Sequence, residues 1–232
     1  FAKYLLPATI IARELTVLVA QTISPFKAVA YDALQLNLRN STMPDTAPAI
    51  DTIFDAATLL REALPQVDAV IADARGALRE KVATGERISN AALEAEQHAA
   101  HALSWIATYG ECLREMSNWA DRISSDGKFG EMESLILQIG AGEYLAQLQG
   151  GLIMSQGEIA RLSDVGADAA KLQTEAVNKL VAQGNTDHAR KRLVELMMEA
   201  QGAASYGGTG LEEEFEMVRD QFRRFADDKV MP

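Results

Sequence analysis

Between Ser89 and about Ser124 the chain carries two apolar stripes at helical spacing, and this double pattern constrains the fold more than any other feature. One stripe runs through Ala92, Ala99, Leu103, Ile106, Leu113, Met116, Ala120 and Ile123, and the other through Trp105, Tyr109, Cys112 and Trp119. A helix that is apolar on two sides needs neighbours on two sides, which predicts a central position in a bundle. Gly110 interrupts the run at a cost of ~1 kcal/mol relative to alanine, and points to a close helix contact.

The same periodicity extends along most of the chain, and no alternating β-branched run is long enough to predict a strand. The expected fold class is therefore all-α, a multi-helix bundle. Short helices are expected near 8–21 and 25–38, followed by a linker at 40–48 rich in Pro, Ser and Thr. From 49 the apolar positions Ile53, Ala56, Leu60, Leu64, Val67, Val70, Ile71, Ala74 and Leu78 predict helix, with Pro65 dividing it into two pieces. A turn at 84–87 follows. Further helices are expected at 129–148, 155–162, 167–182, 187–205 and 211–230, with Ser155 and Glu158 matching a capping box. Three parts result: 1–48, uncertain helices and linker; 49–206, a helical domain; and 207–232, a glycine-rich flexible hinge with a final charged helix.

With 48% hydrophobic residues in a chain of 232, a sizeable core is available. The formal net charge of −11 leaves no basic field for a phosphate backbone, so nucleic acid is not an expected partner. The single cysteine, Cys112, has no intrachain partner and sits in an apolar run, as expected of a buried thiol in a cytoplasmic protein. The most apolar N-terminal stretch, 9–22, contains Arg13 and Glu14, and falls short of the roughly 20 apolar residues of a membrane span. Phe1 is not an initiator methionine and Pro232 falls where a patterned helix is ending, so both ends read as cut edges.

Four groups of residues carry potential chemistry. His98 and His101 share a helix face at i,i+3 spacing, but the surrounding sequence matches neither HExxH nor ExxH, and ordinary structural histidines are the favoured reading. The sequence shows no arrangement that would make Cys112 a low-pKa thiolate paired with a base, and it reads as core. The acidic run Glu212, Glu213, Glu214 with Glu216 suits the positive end of a helix dipole, and its consecutive side chains diverge. Gln147 with Gly150 and Gly151 combines an amide donor and acceptor with glycines that permit close backbone approach, although glycine pairs usually just end helices.

A resemblance adds to these readings. The tail 211–232 is similar to the first helix of acyl-CoA dehydrogenases, which carries an R-x-F pattern and ends in V-x-P, here Val230-Met231-Pro232. The segments 83–89, 94–105 and 142–159 resemble the N-terminal helical extension of one branch of that family, so the likeness covers about 50–232. Gln147-Leu148-Gln149-Gly150-Gly151 resembles the family's Q-x-x-G-G element, which contacts flavin across a subunit interface, and suggests a vestigial copy.

The resemblance implies a complete enzyme that oxidises an acyl-CoA thioester with FAD, passes electrons to electron-transfer flavoprotein and forms a homo-oligomer. A glutamate removes the α-proton while the β-carbon delivers hydride to the flavin. That glutamate and the flavin-enclosing domain belong to later parts of the family's sequence, so no catalytic residue is assigned here, and this chain alone is expected to be inactive and to retain no FAD. The alternative is a non-enzymatic helical interaction domain, with Trp105, Tyr109 and Trp119 in its core and exposed helix faces binding a partner protein.

Overall fold

The computed structural model describes residues 53–200 and 206–231. The helices expected near 8–21 and 25–38 and the linker at 40–48 lie outside the described residues. Among the described residues the architecture is the expected all-α bundle: α1 (Ala56–Val82), α2 (Asn90–Ala95), α3 (Gln97–Ser125), α4 (Glu131–Gly150), α5 (Glu175–Gln183), α6 (Asp187–Glu199) and α7 (Glu213–Phe225). Two small antiparallel hairpins join helices, β1 (Ala83–Thr84) with β2 (Arg87–Ile88), and β3 (Leu152–Ser155) with β4 (Glu158–Ala160).

α1 starts at Asp55, whose carboxylate accepts the Thr58 amide, and buries Ala56, Leu60, Ala63, Val67, Val70 and Ala74. It is one helix through Pro65, not the two pieces expected. Pro65 is exposed, so the carbonyl that loses its partner faces water, and the packed stripe on the opposite side outweighs a local cost of ~3 kcal/mol. In α3 the buried stripe is Ala99, Ala102, Ile106, Gly110, Leu113, Ala120 and Ile123. Gly110 marks the close contact anticipated for it, since a Cβ there would stand 2.4 Å from Ile71 Cδ1 of α1.

The most enclosed helix is α4, which packs against α1, α3, α5 and α6. It buries Leu135, Leu137, Gln138, Ala141, Gly142, Leu145 and Leu148 around more than half its circumference. α3 was the expected centre, but its second stripe is only half-buried at Trp105, Tyr109 and Trp119. α4 and α5 meet backbone to backbone. A Cβ on Gly142 would lie 2.6 Å from the Leu180 carbonyl oxygen, and one on Gly184 2.4 Å from that of Gln138.

Three local expectations differ. The segment expected as a helix at 155–162 is the β3–β4 hairpin, in which Ser155 pairs with Glu158 across the tip. Leu152 and Ala160 are paired and buried while Ile153 and Ile159 are paired and exposed, an in/out alternation that only a strand can satisfy. The helix expected at 167–182 is broken into a 3₁₀ turn, Ala169–Leu172, and α5, because Thr174 caps α5 through the Val177 amide. α7 ends in a π-helical turn, Ala226–Val230. No described helix is long and apolar enough to cross a membrane.

Candidate functional site

Gln147 stands on the last turn of α4, where Gly151 ends the helix with φ +122°. Its side-chain oxygen accepts the Tyr109 hydroxyl at 2.6 Å, and its amide nitrogen donates to Glu143 Oε1 at 2.7 Å. Asn185 Nδ2 donates to the other Glu143 oxygen at 2.7 Å, and Arg190 Nη1 donates to Asn185 Oδ1 at 2.8 Å. A polar chain thus ties α3, α4 and the α5–α6 corner together. Glu143 and Asn185 are 42 positions apart, and no pattern in the sequence links them.

This network is bordered by aromatic rings. Tyr109 and Tyr144 lie with centroids 4.6 Å apart, and Trp105 stands 6.5 Å from Tyr109. Burial pushes both tyrosine hydroxyls upward, Tyr144 to about 12. Burial, with Glu111 adding to it, also raises the Cys112 thiol, so the buried sulfur stays protonated, as a core thiol should.

A flavin edge would need a free donor and acceptor beside open backbone. The Gln147 oxygen already has a donor and one amide hydrogen is used, while a Cβ at Gly151 would meet Ile159 Cγ2 at 2.7 Å. Only the exposed Gly150 is open on its free side. The residues present join helices and a hairpin, and Gln147 keeps one lone pair and one amide hydrogen beyond those contacts.

The histidines turn to different partners. His98 Nδ1 lies 3.1 Å from Glu158 Oε1 on β4, and His101 Nε2 accepts a hydrogen bond from Trp105 Nε1 at 2.8 Å. With Gln97 they border one open depression, but no described group of three or more His, Cys, Asp or Glu is placed to hold a metal ion. Glu212, Glu213 and Glu214 are exposed at the start of α7, whereas Glu216 pairs with Arg219 at 2.6 Å. The acidic run is a solvated helix start.

Fold and site together define a helical packing module with no assembled catalytic constellation among the described residues. No protein-family model matches the chain. The chain is 56% identical over 178 residues to (2S)-methylsuccinyl-CoA dehydrogenase of Cereibacter sphaeroides, an alignment that covers 77% of this chain. That similarity bears out the likeness to acyl-CoA dehydrogenases read from the sequence. The alignment covers 32% of the relative, so the chain spans about a third of its length.

Proposed function

We propose that this chain is the helical accessory part of a flavin-dependent acyl-CoA dehydrogenase that oxidises (2S)-methylsuccinyl-CoA to mesaconyl-CoA. The observation that carries the reading is the 56% identity, sustained over 178 residues, to a dehydrogenase named for that substrate. FAD would accept the hydride in the complete enzyme. The α-proton base and the flavin enclosure belong outside this chain, and the described residues serve as scaffold.

In this reading Gln147, Gly150 and Gly151 are a vestigial form of a flavin-contacting element, kept for packing. Exposed apolar residues on α7, among them Phe222 at 71% and Phe225 at 60%, form a stripe that the catalytic part would cover. Electron-transfer flavoprotein as electron acceptor, a homo-oligomeric assembly and a cytoplasmic location complete the proposal.

The test is direct. The 232-residue chain alone should show no bound-flavin absorbance and no oxidation of (2S)-methylsuccinyl-CoA. Turnover by the chain alone would overturn the assignment of the catalytic groups to other parts of the enzyme.

A further inference from the structure

The glycine-rich stretch at 207–210 has the composition of a flexible linker, yet its backbone is held on both sides. The Gly208 amide donates to Glu133 Oε1 at 2.7 Å, and the Gly208 carbonyl accepts the Trp119 indole N–H at 2.8 Å. Glu133 is 9% exposed, and its second oxygen accepts the Gly130 amide at 3.0 Å, so the carboxylate is fixed at the start of α4. Two glycines adopt left-handed backbone, with φ +79° at Gly207 and +64° at Gly210. A Cβ would stand 3.0 Å from Ile136 Cδ1 at the first and 3.1 Å from Ile123 Cγ2 at the second. The glycines let the backbone lie flat in the groove between the end of α3 and the start of α4.

The hold continues into α7. The Thr209 hydroxyl bonds the Glu216 carboxylate, which in turn pairs with Arg219. We propose that 207–210 is a docked strap, latched by Glu133 and Trp119, that fixes the direction in which α7 leaves the bundle. The strap is a rigid coupling between the helical domain and whatever α7 packs against. A charge-assisted bond from a mostly buried carboxylate to a backbone amide is the strong kind of hydrogen bond, and it has no role in the fold of α4 beyond the Gly130 contact. Glu133 is thus a positioning residue.

The coupling is measurable on the chain itself, without substrate or flavin, so its outcome is separate from that of the proposed function. Nitroxide labels at Glu62→Cys on α1 and Asp227→Cys beyond α7, in a Cys112→Ser background, report their separation by pulsed electron resonance. A single narrow distance distribution is expected, with Gly208 amide exchange slowed in the unlabelled chain. Trp119→Phe keeps an aromatic side chain and removes the indole N–H, and Gly207→Ala strains the left-handed backbone of the strap and sets a methyl group 3.0 Å from Ile136 Cδ1 and 3.4 Å from Glu133 Oε1. Each should broaden the distribution and speed Gly208 exchange by about 10-fold or more. Glu133→Ala should do both more strongly. If it also unfolds the bundle by circular dichroism, the other two variants decide. A broad distribution in the starting protein, or variants that leave distribution and exchange unchanged, would overturn the proposal.

Discussion

The Tyr109 hydroxyl and the Gln147 side-chain oxygen are joined at 2.6 Å, across 38 positions of sequence and between two helices of the bundle. Because Gln147 also donates to Glu143, the amide is a connector with partners at both ends. Replacing it by alanine leaves a half-buried hydroxyl and a half-buried carboxylate each short of a partner. Gln147→Ala should cost about 1–3 kcal/mol in urea unfolding. In the complete enzyme it should leave flavin content unchanged, and loss of flavin with unaltered stability would show that Gln147 contacts the cofactor instead.

The tyrosine pair predicts a stability change at high pH. Burial raises the hydroxyl of Tyr144 to about 12 and that of Tyr109 in the same direction, so the folded state binds these protons more tightly than the unfolded state, whose ordinary value is about 10. Their contribution is fully present below the unfolded value and is lost as pH rises through the folded one. An absorbance titration should show phenolate appearing late, with Tyr144→Phe removing a late step. A single titration of all tyrosines near the ordinary value, in protein that is still folded, would contradict the buried placement.

Three glycines in helical surroundings separate close packing from propensity. Gly142→Ala and Gly184→Ala push a methyl group to 2.6 Å and 2.4 Å from a backbone carbonyl oxygen of the facing segment. Neither carbonyl can move alone. Each should destabilise by about 2–3 kcal/mol. Gly76, in α1, has nothing within 4 Å of an added Cβ, so Gly76→Ala should stabilise by about 0.5–1 kcal/mol. Equal thermal shifts for all three would remove the case for a backbone-to-backbone crossing.

Much of the bundle was legible because it is written in periodicity. The spacing of Ala99, Ile106, Leu113, Ala120 and Ile123 gives the buried face of α3, although the segment expected to run from Ser89 is divided at Glu96 into α2 and α3. Pro65 misleads because its penalty is local while the stripe that overrides it packs against distant helices. Ser155 and Glu158 mislead because three-residue spacing serves a capping box and a hairpin tip alike, and only the in/out alternation of Leu152, Ile153, Ile159 and Ala160 separates the two.

The contacts with most consequence for the site were not legible at all. Glu133 and Gly208 are 75 positions apart, and the glycines that let them meet look like a linker. The resemblance of 147–151 to a family motif was visible. The occupation of Gln147 by Tyr109 and Glu143 depends on helix packing that no local pattern encodes.

The proposed function places this helical module in a methylsuccinyl-CoA-oxidising flavoenzyme. Its most direct test mixes the complete purified enzyme anaerobically with (2S)-methylsuccinyl-CoA while recording the flavin spectrum and the thioester products. The account predicts bound FAD, bleaching of its oxidised absorbance and formation of mesaconyl-CoA. A protein without flavin, or with flavin that this thioester leaves oxidised, would contradict it.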